Sequence, residues 1–342
     1  MILTLNIIVS LLLFCVPFLV RFFNIDRVTV SQTYHTNGFS GVFRTYFGGK
    51  VIDGKALTIN FLIGVFFAIV YMSFIYLADD WYTFSPLHII GFVSTFIMPF
   101  ALAYLCKNNP KGARIVAIVL SCILLLSPIT RAIYMPIHWD KPLTMQKMEM
   151  AVPFNLSNIC ALLFIIGILS KNKTIAGFMI SVGLSGGILN NIQTHNPDWP
   201  WFWNYLNWES YMVHALMIII PMFAVLTGQI KLDYKAALKN LYWFIPWFFI
   251  TGFVFNPMWG TNYNFTAPID ILNFLPKFLE ITVFSAHVYP IYMFFVLILL
   301  IILCAIFYLF GVFLEKKVSK YFMNINNHDF PDSNLQYAFE PK

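Results

Sequence analysis

Charge is missing from long stretches of this chain, and that absence limits what it can fold into. Nine apolar runs lie near 3–23, 59–77, 87–106, 114–134, 151–170, 174–192, 208–227, 241–257 and 290–314. Each approaches the roughly 20 helical residues that cross a hydrocarbon layer about 30 Å thick. Backbone amides and carbonyls inside a bilayer have no water to bond, so such runs fold as helices that satisfy their own hydrogen bonds. Only 11% of the 342 residues are charged, against about a quarter in soluble domains. The expected fold is all-α, a polytopic transmembrane helix bundle of about nine spans in the cell membrane. The net charge of +6 comes from basic residues scattered through loops, which argues against nucleic-acid binding.

The first run has no basic leader and no small-residue cleavage site, and Arg21 and Arg27 follow it. It reads as a retained anchor that starts outside, not a cleaved signal. With nine crossings from there, the inner segments carry 17 of the 21 Lys and Arg residues. The outer segments hold only Arg131, Lys141, Lys147 and Lys277. Inner loops are the ones enriched in Lys and Arg, so a cytoplasmic C-terminus is expected. The run at 241–257 is the weakest span, because it is short and contains Pro246; if it is re-entrant, the last helix inverts. The expected organisation is an anchor helix with a polar cytoplasmic loop over 1–58, a bundle over 59–317 and a polar, loosely ordered cytoplasmic tail over 318–342.

Polar residues inside the runs gather toward the outer side. His88 is near the start of one run, and Asn155, Ser157, Asn158 and Cys160 open another. Asn190 and Asn191 end a third, and His214 lies six residues into the run that follows. Outer loops add His138, Asp140, His195, Asp198, Asn262, Tyr263 and His287, while the inner halves of the same helices are almost wholly Leu, Ile, Phe and Val. Polar side chains at membrane depth face a bundle interior or a wet cavity, so the pattern predicts an outward-opening pocket. An ionisable group as deep as His214 is a functional candidate by default. The plain alternatives are a neutral histidine bonded to a neighbouring carbonyl, and an interfacial polar belt.

Ser157 and Cys160 are three residues apart and share a helix face, as His214 does with Tyr211, Ser210 and Asn207. A hydroxyl or thiol on one helix opposite a histidine on another is the arrangement of a nucleophile and its general base. Against that stands the ordinary use of membrane serines, which bond the preceding turn, and of free cysteines, which pack. Glu209 precedes His214 by five residues and points elsewhere; it is expected to cap the helix start. The five cysteines lie in or beside apolar runs without a CxxC, so neither a disulfide framework nor a metal site is expected. His195 with Asp198 and His138 with Asp140 have spacings common by chance. No nucleotide-binding glycine loop is present, and no cofactor is expected. Trp199, Trp201, Trp203 and Trp208 read as an interfacial aromatic belt.

A set of short boxes in fixed order then becomes informative. Val152-Pro153-Phe154-Asn155-Leu156-Ser157 opens a helix, a Gly183–Gly187 segment follows, and Pro197-Asp198, His214, Asn262-Tyr263 and Tyr289-Pro290 come in sequence. This order resembles the YwaF-type bacterial integral membrane proteins, related to human transmembrane protein 164, over roughly 85–314. The resemblance implies an O-acyltransferase that places a fatty acyl chain on lyso-ether phospholipids through a cysteine and a histidine. It also points to small membrane serine/threonine-type lipid hydrolases. The chain departs from the pattern in one respect: Ser157 stands where the family has its cysteine, Cys160 lies a turn further on, and Asn155 stands where many members carry histidine. Either Ser157 or Cys160 then serves as the nucleophile, or activity is lost.

The expected function is a membrane lipid acyltransferase or lipid hydrolase acting on phospholipid or lysophospholipid, with His214 as the base. Asn155, Asn190, Asn191, Asp198, Tyr211, Asn262, Tyr263 and His88 are the candidate substrate-binding residues. The alternatives are a small-solute transporter, which the lack of a deep carboxylate or an inverted repeat disfavours, and a non-catalytic lipid-binding scaffold.

Overall fold

The structure is a computed structural model that describes residues 2–23, 54–76, 85–107, 109–138, 155–192, 205–255 and 289–323. These residues form helices, with no strand among them. In chain order they are α1 (Ile2–Phe23), α2 (Gly54–Tyr76), α3 (Pro86–Leu105), α4 (Pro110–His138), α5 (Leu156–Ser170), α6 (Lys173–Ile192), α7 (Tyr205–Leu226), the short α8 (Tyr234–Leu238), α9 (Leu241–Ile250) and α10 (Tyr289–Phe313). A helix thus stands at every apolar run. Six stretches are long and apolar enough to cross a membrane, and three more apolar helices have shorter described cores, Asn6–Val20, Thr58–Ser73 and Leu156–Ser170.

Two of the runs differ in length from the sequence reading. The weak run at 241–257 gains a preceding turn through α8, so that Tyr234–Phe255 forms a 22-residue candidate span. The last helix continues past 314 through a π-helical turn, Leu314–Val318, to Met323, and Ser319 and Phe322 are buried there.

Helix ends follow from local chemistry. Ser85 starts α3, its hydroxyl accepting the His88 amide, and Pro86 at the first helical position loses no internal hydrogen bond. Asn172 starts α6, with Oδ1 accepting the amides of Thr174 at 2.8 Å and Ile175 at 3.2 Å. Lys171 just before it is left-handed, at φ 55°, and closes α5 with its amide on the Gly167 carbonyl. A non-glycine residue in that region costs about 1 kcal/mol. Here it allows a two-residue reversal that lays α5 and α6 side by side. Asp233 caps α8 by accepting the Ala236 amide, and that bond holds its carboxyl below the ordinary carboxylate value.

The centre of the bundle is α7, packed against α3, α4, α5, α6 and the Leu314–Met323 continuation of the last helix. Of its Glu209–Leu226 stretch 78% is buried, against 11% for the most apolar stretch of α10. Lipid tails are as apolar as leucine, so helices in a bilayer associate by close packing of small residues rather than by hydrophobic expulsion. Two contacts illustrate this. A Cβ on Gly187 would sit 2.8 Å from the His214 carbonyl oxygen and 2.9 Å from Ile218 Cγ1, so only glycine lets α6 lie on α7 there. Gly64 likewise admits the Phe14 carbonyl and lets α2 lie on α1. Outward faces remain apolar, as with Leu162, Ile166 and Leu169 on α5 and Ile115, Val119 and Leu126 on α4.

Candidate functional site

The first turn of α5, the last two turns of α6 and the middle of α7 converge. Leu156 Cδ2 and Met217 Cε approach Gly186 from opposite helices, 3.5 and 3.2 Å from where its Cβ would be. The next residue, Gly187, abuts the backbone of His214. The α5 turn that carries Ser157 therefore lies at the level of the α7 turn that carries His214. A π-helical turn over Met179–Gly183 interrupts α6 just before this junction, a distortion that often accompanies functional sites. Gly183 there makes room for the ring of Phe164 on α5.

Ser157 and Cys160 differ more than their shared spacing suggests. Ser157 is half-buried, and so is His214, whereas Cys160 has 0% of its surface exposed. Hydroxyls deeper in the helices are used internally. Thr95 bonds the Gly91 carbonyl at 2.9 Å, Ser121 that of Ala117 at 2.8 Å and Ser181 that of Gly177 at 2.7 Å. Ser157 is the second residue of its helix, with no helical carbonyl four residues back, and among the described residues no hydrogen bond holds its hydroxyl. First-turn amides also lack an intrahelical acceptor. The amides of Asn158 and Ile159 both turn back to the Asn155 carbonyl, and the Asn155 side chain does not cap the helix. Asn155 itself is half-buried.

A polar layer lies between α3, α6 and α7. His88 is buried, with Nε2 2.6 Å from the Asn191 carbonyl oxygen. A carbonyl only accepts, so this nitrogen carries the hydrogen. Tyr211 is buried with its hydroxyl 3.4 Å from Thr95 Oγ1. Asn190 donates to the Gly186 carbonyl at 2.9 Å, in its own preceding turn. Asn191 has 0% exposure, and both polar atoms of its amide lack a partner among the described residues. A buried amide left unbonded costs about 1–3 kcal/mol, and native proteins fill such places with water or ligand.

Sequence reasoning missed Glu209. It sits five residues into α7, only 4% exposed, and accepts a hydrogen bond from the Ser127 hydroxyl of α4 instead of capping its own helix. Its place one turn into α7 carried no signal of a partner 82 residues away. Asp198, Asn262 and Tyr263 lie outside the described residues, as do His195 and the side chain of His138. Among the described residues no group of three or more His, Cys, Asp or Glu side chains is placed to hold a metal ion.

Apolar helices long enough to span a bilayer, packed around a buried central helix, make this a polytopic helical membrane protein. Residues 83–308 match the TMEM164 family, and the chain belongs to that family. The match begins just before α3 and ends within α10, so it takes in every helix of the junction described above. No curated protein and no solved structure matches the chain.

Proposed function

We propose that this protein is a membrane lipid acyltransferase or lipid hydrolase, with Ser157 as nucleophile and His214 as general base. Its substrates are a phospholipid and, for transfer, a lysophospholipid, taken from the outer leaflet of the cell membrane. The observation that carries this reading is the Ser157 hydroxyl, uncommitted and only half-buried in the α5 turn level with the His214 turn of α7. The wholly buried Cys160 is less suited to meet a substrate.

In the first step Ser157 Oγ attacks the ester carbonyl while His214 takes the hydroxyl proton. The tetrahedral oxyanion collapses, the C–O bond to the glycerol oxygen breaks, and His214 returns the proton to that oxygen. In the second step a lysophospholipid hydroxyl, or water, attacks the acyl-serine ester. His214 removes the attacking group's proton and restores it to Ser157 as the acyl group leaves. The oxyanion needs donors already in place. The first-turn Ser157 amide and the unbonded Asn191 amide are the candidates, with Asn190 as a further one. The α5 helix dipole favours negative charge at that same end.

The test is turnover by purified protein given labelled ester and ether phospholipids, with and without lysophospholipid. Released or transferred acyl chain is expected, falling at least about 100-fold in Ser157→Ala and in His214→Ala. Folded protein that turns over none of these lipids would overturn the reading.

A further inference from the structure

The α5–α6 turn and the short α8 share one corner of the bundle, at the end of α5 remote from Ser157. The 15 residues of α5 lie between, about 20 Å at 1.5 Å per residue. A Cβ on Gly177 would sit 2.6 Å from Ala237 Cβ, so glycine lets α8 rest on α6. Asn240 fixes the contact by donating to the Thr174 carbonyl at 2.8 Å. Lys171 and Lys173 flank the α5–α6 turn, and Lys235 and Lys239, four residues apart at α8, share a helix face. All four lysines are exposed. One carboxylate, Asp233, stands among them; after its bond to the Ala236 amide, the charges of Lys173 and Lys235 favour its ionised form. On the α10 side Glu315 accepts the Leu232 amide at 3.1 Å, and exposed Lys316 and Lys317 follow it. The corner keeps an excess of positive charge.

An apolar groove of about 320 Å³ begins beside these lysines. Val182 of α6, Leu241 and Phe244 of α9 and Ile301 of α10 line it. Next to it α10 closes on α6, where Gly311 admits Ile180 and Cys304 Sγ lies 3.5 Å from Ser185 Oγ. Tyr234, Leu238 and Leu309 also line the groove and stay exposed, so it opens on the outer face of the bundle. Lys235 Nζ is 6.0 Å from the centre of the Tyr234 ring, which puts a cation at the groove's edge. Tyr234, Leu238 and Tyr242 recur at four-residue spacing and are all exposed. Aromatic residues in such a stripe suit the headgroup level of a bilayer.

We propose that this corner binds one anionic phospholipid, with its phosphate among Lys173, Lys235 and Lys239 and an acyl chain in the groove. The surface joins cations to an apolar channel within the reach of one lysine side chain, and its complement joins an anion to a hydrocarbon chain. A zwitterionic lipid gains little from the lysines, because its own cation offsets its phosphate. An acidic protein segment laid in the groove would bring unbonded backbone amides into hydrocarbon. Each lysine beside an anionic lipid is worth about fivefold in affinity, and salt weakens the attraction.

The test titrates the detergent-purified protein with phosphatidylglycerol and with phosphatidylcholine of the same acyl chains, read by native mass spectrometry. Phosphatidylglycerol should bind about 25-fold more tightly. Lys235→Gln together with Lys239→Gln should remove most of that preference. Lys111→Gln together with Lys320→Gln should keep it; these exposed lysines belong to the α3–α4 side of the same end, where Lys107 lies over the Tyr321 ring. Ala305 lines the groove, and Ala305→Phe should weaken phosphatidylglycerol binding about tenfold, the worth of roughly two buried methylenes. Glycerol phosphate carries the anion without the chains and should compete poorly; it keeps the groove under test should Ala305→Phe not fold. Equal affinity for the two lipids, equal losses in the two lysine pairs, or competition by glycerol phosphate as strong as by the lipid overturns the proposal. Binding needs no turnover, so this result is read apart from that of the acyl-transfer assay.

Discussion

At the scale of single residues, neighbours decide what the site can do. Ser157 and Cys160 lie on one face of α5, which spacing alone makes legible. Which of them meets open space depends on what covers that face, and the covering helices seal Cys160. Cys160→Ala should therefore lower thermal stability by about 1 kcal/mol and leave lipid turnover within about threefold, in contrast to Ser157→Ala. A turnover loss in Cys160→Ala equal to that in Ser157→Ala would transfer the nucleophile role to the thiol.

Asn191 offers a separate residue-scale test. Its amide is buried and unbonded, so Asn191→Leu removes an unpaid desolvation penalty and should stabilise the folded protein by about 1 kcal/mol. If that amide receives the oxyanion, turnover should fall by about 100-fold at the same time. Higher melting temperature with unchanged turnover would make the residue merely structural.

At the scale of helices, the junction depends on how closely α6 approaches α7. Gly187→Ala forces a methyl against the His214 carbonyl and Ile218, so the helices separate or the backbone shifts, at a cost of about 1–3 kcal/mol. The same displacement moves His214, and turnover should drop with stability. Gly186→Ala meets mainly the flexible end of Met217 and should be mild in both readouts. Equal effects of the two substitutions, measured by thermal unfolding and lipid turnover, would remove the argument that Gly187 sets the histidine.

The helices themselves were largely legible, because an apolar run in a bilayer has one way to satisfy its backbone. Their limits were less so. Run 241–257 looked too short because charge and amides at Lys239 and Asn240 interrupt it, yet Asn240 bonds the Thr174 and Ala237 carbonyls and joins α8 to α9. Glu209 looked like a helix-start charge because its partner Ser127 belongs to a different helix. Contacts of that kind leave no periodic trace.

At the scale of the whole molecule, the lopsided distribution of Lys and Arg carries a prediction that the packing does not. A fluorescent protein fused after Lys342 should fold and fluoresce in the cytoplasm, while alkaline phosphatase fused there should stay inactive. The opposite result would mean an even number of crossings from an outside start, with 241–257 turning back.

By itself the sequence determined that this chain is an all-helical membrane protein, and that histidine and hydroxyl lie on separate helices. Composition and spacing carry that much because burying charge in hydrocarbon is costly everywhere along the chain. Only the tertiary structure decided that α7 is central, that Ser157 is half-buried while Cys160 is sealed, and that Asn191 and Trp247 keep buried polar atoms with no partner among the described residues. Those properties depend on which helix covers which face, and contacts between residues distant in sequence settle that.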